Sequence, residues 1–191
     1  LEEIYQNLLE LVKKASEIIS NPKFISLTNQ RETFTLFNKK DGKPIHNAVV
    51  WQCTRGQKIC EDILKDKSKN REIIDKTGLK PNTFFSGSKL KWVYENKPEV
   101  KSKIDNGDIL FGTIETYLIY RLTNLNSYVT DTTNASRTLL FNCLENSWDQ
   151  NLLNIFNCNN LKLPKILNSS NIFGESDFNR AFKKLIPLIG V

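Results

Sequence analysis

Over residues 1–19 the apolar positions Ile4, Leu8, Leu11, Val12, Ala15, Ile18 and Ile19 recur at helical spacing, which predicts an amphipathic helix with those residues on one stripe. Asn21-Pro22 ends it, because proline disfavours helical geometry in the residue before it. Phe24 to Leu27 then reads as a short strand, and Thr33 to Phe37 as a second, with Phe34 and Leu36 alternating against Thr33, Thr35 and Phe37. The turn residues Asp41-Gly42-Lys43-Pro44 separate this strand from an apolar run, Ala48 to Trp51, so a hairpin is expected. Helical spacing returns at residues 57–66 through Ile59, Cys60, Ile63 and Leu64. A short helix follows around Ile73 and Ile74, stopped at Gly78, and another runs from Ser88 to Asn96.

The second half continues the alternation. Asp108 to Phe111 reads as a strand or a helix entrance, Ile114 to Leu122 as a compact apolar helix and Thr138 to Phe141 as a strand. Trp148 to Phe156 and Ser176 to Leu185 read as the last two helices. Helices and short strands mixed without long linkers predict an α/β unit, with no internal repeat and no domain boundary.

Composition narrows the function classes. The 191 residues suffice for one domain with a core. No apolar run approaches the roughly 18 residues of a membrane span, and charged residues at positions 2, 3, 10, 13 and 14 exclude a signal peptide over residues 1–19. The net charge of +6 comes from lysines interleaved with acids and asparagines, a pattern of solvated helix faces rather than a nucleic-acid footprint. The four cysteines form no Cys-x-x-Cys pair and there is one histidine, so no zinc site is expected. Reduced thiols in a cytoplasmic protein are. With Met 0, Leu1 is not expected to be a native start, and the chain reads as a fragment.

No glycine-rich phosphate loop occurs, and a single His46 supports no nucleophilic triad. Two features remain. Thr28-Asn29-Gln30-Arg31-Glu32 follows directly on a predicted strand, and strand ends of α/β sheets are where ligands commonly bind. Arg31 only donates hydrogen bonds and ionised Glu32 only accepts them, so vicinal hydroxyls satisfy both and a polyol or sugar fits. Without a ligand the two form an exposed pair worth under about 1 kcal/mol. The second feature is the aromatic set Trp51, Phe84, Phe85 and Trp92, able to cover the C–H face of a polyol but equally suited to a core.

Longer matches decide between these uses. Ile25 to Thr33, Gly42 to Arg55, Thr77 to Leu79 and Phe84 to Asn96 resemble segments of glycerol kinases, and Phe84 to Asn96 also fits a signature of the wider carbohydrate-kinase family. Leu110 to Ile119, Val129 to Thr138, Leu163-Pro164 and Ser169 to Gly174 continue the likeness. The resemblance implies an ATP:glycerol phosphotransferase of actin-like, ribonuclease-H-like α/β fold, in which residues 1–191 form an N-terminal domain truncated at both ends. It implies ATP and Mg²⁺ as cofactors, glycerol as acceptor, no nucleic-acid or membrane partner, and a homo-oligomer when intact. Carried over residue by residue, the glycerol contacts fall on Arg31 and Glu32 for the hydroxyls and on Trp51 for packing.

Phe84 stands where the family has tyrosine, so one hydroxyl is missing. The family's Asp-Gln-Gly-Thr-Thr hairpin, which grips ATP phosphates, is not found here, and its catalytic aspartate is expected beyond Val191. The competing expectations are a related kinase acting on a pentose, a pentulose or gluconate, and a non-catalytic truncated product that binds polyol.

Overall fold

The computed structural model describes residues 1–190; Val191 lies outside them. Its centre is an antiparallel pair, β1 (Phe34–Asn38) and β2 (Ile109–Thr113), registered Phe34 to Thr113 and Asn38 to Ile109. Both faces of β1 are buried, Thr35 included, although its residues alternate apolar and polar in the manner of a half-exposed strand. Helices cover both sides. Phe34, Leu36, Ile109 and Phe111 pack with residues of α2 (Gln57–Lys65), α3 (Lys67–Thr77), α4 (Ser86–Asn96), α5 (Pro98–Asp105) and the later α8 (Gln150–Ile155). Phe37 and Leu110 face the opposite layer, with α6 (Ile114–Leu122) at its centre. This is an α/β sandwich of helix, sheet and helix.

The first helix, α1 (Glu2–Ile18), closes that second layer with a face that shares Leu8 and Val12 with the expected stripe but is turned away from its remaining members. Tyr5, Leu8, Leu9 and Val12 pack inward, while Ile4 and Leu11 stand 45% and 69% exposed. The helix is apolar on two adjacent faces, and a specific contact selects one. Arg121 lies 4.1 Å over the Tyr5 ring and donates to Glu2 at 2.8 Å, turning the Tyr5 side toward α6.

The expected strand at Phe24 to Leu27 is an extended segment held beside β8 (Ile186–Ile189) by one parallel bridge, Ile25 to Leu188. The expected hairpin is present as an irregular return: residues 44–49 run antiparallel to β1 through bridges at Phe37–Pro44 and Phe34–Val49. Pro98 opens α5 at its first position rather than merely ending the helix before it. Gly78 caps α3 with φ 71°, the left-handed geometry glycine tolerates best.

The C-terminal third departs furthest from the expectations. β3 (Val129–Asp131) pairs in parallel with β6 (Lys165–Leu167) and leads into the one-turn α7 (Thr132–Ala135). The strand expected at Thr138 to Phe141 shrinks to β4 (Phe141–Asn142) against β5 (Ser147–Trp148), because Leu139 sits at φ 63° and breaks extension. Trp148 is therefore in β5. The helix α8 (Gln150–Ile155) starts only after Asp149, whose carboxylate accepts from Leu152 N at 3.0 Å. Ser176 to Leu185 forms no helix. Phe178, Asn179 and Arg180 have φ of 51°, 57° and 65°, a left-handed turn between β7 (Ile172–Ser176) and β8 that buries Phe178 and Phe182 edge to face. Their spacing of four mimicked a helix face, but Leu185 at the same period is exposed.

Most lysines behave as expected of solvated faces; Lys89, fully buried in α4, does not. Lys14–Glu10, Lys58–Asp62 and Lys101–Asp105 are exposed pairs one helical turn apart. Among the described residues no helix is long and apolar enough to cross a membrane.

Candidate functional site

The polar corner Thr28 to Glu32 runs between the extended segment beside β8 and the start of β1, and its placement comes from beneath. Asn29 Nδ2 donates to Glu115 Oε2 at 2.6 Å and to Asn134 Oδ1 at 3.0 Å. Glu115, at the start of α6, is fully buried and takes part in no ion pair among the described residues. Its other oxygen accepts from Thr113, Thr116 and Thr130 at 2.5, 3.0 and 2.7 Å. Burial pushes the Glu115 carboxyl up, and the threonine hydrogen bonds hold it partly back. Asn134 in turn donates through its backbone N–H and its amide to Asp131 Oδ1 at 2.8 and 2.7 Å, and Ser169 donates to the other Asp131 oxygen. Burial also raises the Asp131 carboxyl, but these donors outweigh it and leave it below its ordinary value. One amide thus ties the corner directly to α6 and α7, and through Glu115 and Asn134 to β2 and β3, a constraint invisible in the spacing of the residues involved.

On top of this base, Arg31 and Glu32 part company. Arg31 is exposed and takes part in no ion pair among the described residues. Glu32 is 8% exposed and pairs instead with Arg137, whose Nε donates to Glu32 Oε1 at 2.8 Å. The second carboxylate oxygen, Oε2, has no hydrogen-bond partner among the described residues and is not shut off from solvent. It keeps the capacity to accept.

The aromatic residues continue the same surface. The Arg137 guanidinium carbon lies 4.8 Å over Phe85, Phe85 meets Phe84 edge to face at 5.8 Å, and Phe84 meets Trp51 at 5.0 Å. Trp51 and Phe84 are partly exposed, whereas Phe85 is buried. Trp92 stands apart under Arg55, at 5.0 Å. The structure therefore brings Glu32, Trp51 and Phe84 together through Arg137 and Phe85, and leaves Arg31, next to Glu32 in the chain, exposed and in no ion pair among the described residues. Spacing alone could not reveal Arg137, which lies 105 positions from Glu32. Its one signal was membership of the Val129 to Thr138 segment.

The whole chain, residues 1–191, matches the model for the N-terminal domain of the FGGY family of carbohydrate kinases. The chain belongs to this family. Glycerol kinase 1 of Thermotoga maritima is 43% identical to it over 194 residues, covering 100% of the chain and 39% of that relative. The glycerol kinase of Leptospira biflexa is 43% identical over 193 residues, covering 98% of the chain and 38% of the relative. The crystal structure of Plasmodium falciparum glycerol kinase with ADP superimposes with a TM-score of 0.90 at 37% identity, over 98% of this chain and 38% of that one. A gluconate kinase from Lactobacillus acidophilus gives a TM-score of 0.85 at 25% identity, over 98% and 38%. The architecture is thus that of FGGY kinases, the actin-like α/β fold, and the chain spans 38–39% of the length of these relatives.

Proposed function

We propose that the full-length protein containing this FGGY domain transfers a phosphoryl group from ATP to a terminal hydroxyl of glycerol, and that this chain supplies the acceptor side of the site. The observation that carries the reading is Glu32: a buried carboxylate with one oxygen held by Arg137 and the other open, beside a tryptophan–phenylalanine wall. An acceptor hydroxyl donates to Glu32 Oε2, its neighbour accepts from the Arg31 guanidinium, and the carbon chain lies against Trp51 and Phe84. Phosphoryl transfer depends mainly on positioning and charge neutralisation, so a rigidly held acceptor lowers the barrier before any chemistry begins.

ATP and Mg²⁺ enter through the family. Mg²⁺ in such sites is held by one or two carboxylates together with the substrate phosphates, and Arg31, Glu32, Trp51 and Phe84 belong to the acceptor side. The role of the chain ends at binding and orienting the acceptor. A cytoplasmic setting fits its four free cysteines, and self-association of the intact protein rests on the family likeness. The test is a coupled ADP-release assay: the full-length protein turns over ATP in response to glycerol in preference to gluconate or pentuloses, and residues 1–191 alone do not. Preference for gluconate or a pentulose would move the reading to another FGGY kinase, and turnover by residues 1–191 alone would refute the division of labour.

Phe84 supplies a second prediction. It offers the wall a ring without a hydroxyl, so Phe84→Tyr is expected to tighten glycerol binding by about 0.5–1.5 kcal/mol, the net worth of one hydrogen bond. Isothermal titration of the full-length protein measures it, and an unchanged Kd would show that position 84 does not face the polyol.

A further inference from the structure

Lys89 is a lysine with no solvent exposure, on α4 directly beneath the aromatic wall. Lysine heads are almost never buried without an assigned partner set. Here the ammonium donates to the Val50 carbonyl at 3.2 Å and to the Phe84 carbonyl at 3.1 Å. Val50 immediately precedes Trp51, so one charged group grips the backbone at both ring-bearing positions, whose rings stand 5.0 Å apart. The surroundings are equally fixed. A Cβ at Gly56 would come within 2.5 Å of Ser88 Oγ, so the turn that follows Trp51 is packed directly on the helix carrying Lys89.

We infer that Lys89 is a positioning residue for the acceptor site: its ammonium ties the Val50 and Phe84 carbonyls together and thereby sets the Trp51–Phe84 wall, which loosens when the ammonium gives up its proton. The effect on substrate rests on the glycerol reading above; the effect on the wall does not. The titratable and charged groups close enough to act on Lys89 are Cys53 and Arg55 from the turn after Trp51, Glu32 from the corner before β1, and Cys60 from α2. Burial pulls Lys89 down to about 8, and Arg55 adds to that pull, while Cys53, Glu32 and Cys60 oppose it. Below that point the cation makes two charge-assisted bonds to carbonyls. Above it the neutral amine makes ordinary ones, roughly half as strong, and no longer attracts Glu32. Cys53 is the one neighbour able to imitate this titration. Burial raises its thiol, but hydrogen bonds from Arg55, one of them from Nε at 2.9 Å, lower it overall.

The experiment uses the full-length protein and two readouts. The first, without substrate, is the indole N–H resonance of Trp51, assigned by its loss in Trp51→Phe and followed from about pH 6.5 to about 9.5. Wild type is expected to show a transition near pH 8 that persists in Cys53→Ser and is absent from Lys89→Met and Lys89→Arg. The second is steady-state kinetics with glycerol. Wild-type KM is expected to rise several-fold above about pH 8 with kcat little changed. Lys89→Met should have a pH-independent KM about tenfold higher, partly rescued in Lys89→Arg, which keeps a charge that does not titrate in this range. A flat Trp51 resonance in wild type, or a transition abolished by Cys53→Ser and kept in Lys89→Arg, overturns the assignment. Should Lys89→Met fail to fold, wild type, Lys89→Arg and Cys53→Ser still decide it. If the resonance titrates through Lys89 and glycerol is not a substrate, the clamp stands and the glycerol reading falls.

Discussion

Glu32→Ala in the full-length protein is expected to raise the KM for glycerol about 10- to 150-fold, the range for losing a hydrogen bond to a charged acceptor of about 1.5–3 kcal/mol. The same change removes the partner of Arg137. Breaking a buried ion pair costs about 3–5 kcal/mol, but the Arg137 side chain is 27% exposed and relaxes partly into water, so a stability loss of about 2–3 kcal/mol is expected. Glu32→Gln separates the two effects. Its carbonyl still accepts from Arg137 Nε, so stability falls less, while the position of Oε2 is taken by an amide donor and KM stays high. Steady-state kinetics and urea unfolding of both variants check this; a KM within twofold of wild type for Glu32→Ala would remove Glu32 from the site.

The second large effect is at Glu115, outside the acceptor surface but beneath it. Glu115→Ala leaves three threonine hydroxyls and the Asn29 amide without their acceptor in a fully buried place. Unsatisfied buried donors cost about 1–3 kcal/mol each before relaxation; rotation of the hydroxyls recovers part of this, and a net loss of about 3–4 kcal/mol is expected by chemical denaturation. Glu115→Gln isolates the charge. Because burial raises the folded-state carboxyl above its ordinary 4.5, the stabilisation from its protonation is fully present below that value and is lost as pH rises through the folded value. The stability of wild type relative to Glu115→Gln should therefore increase on acidification from neutrality. A difference independent of pH would show that Glu115 titrates as it does in the unfolded chain.

The core helices were readable because their apolar residues repeat at one period and their ends carry local signals, such as Gly78 in left-handed geometry after α3. Short strands were not. β3, β6 and β8 are three or four residues long, too short for alternation to mark them, and β3 finds its partner β6 far along the chain, Val129 opposite Lys165. The missing C-terminal helix failed for a different reason, a chance spacing of Phe178 and Phe182 over a left-handed turn. At the candidate site, the residue types of Arg31, Glu32, Trp51 and Phe84 were legible, but the pairing was not. Glu32 takes Arg137 rather than its neighbour Arg31, because the turn after Gln30 carries Glu32 inward and leaves Arg31 outside. Lys89 looked like one more surface lysine until its helix was seen to lie under the wall.

The acceptor surface itself is tested most directly by a crystal structure of the full-length protein with glycerol. It should show one hydroxyl within about 3 Å of Glu32 Oε2, a second within reach of Arg31, and the carbon chain against Trp51 and Phe84. Glycerol bound at saturation elsewhere, with Glu32 Oε2 and both rings bare, would contradict it.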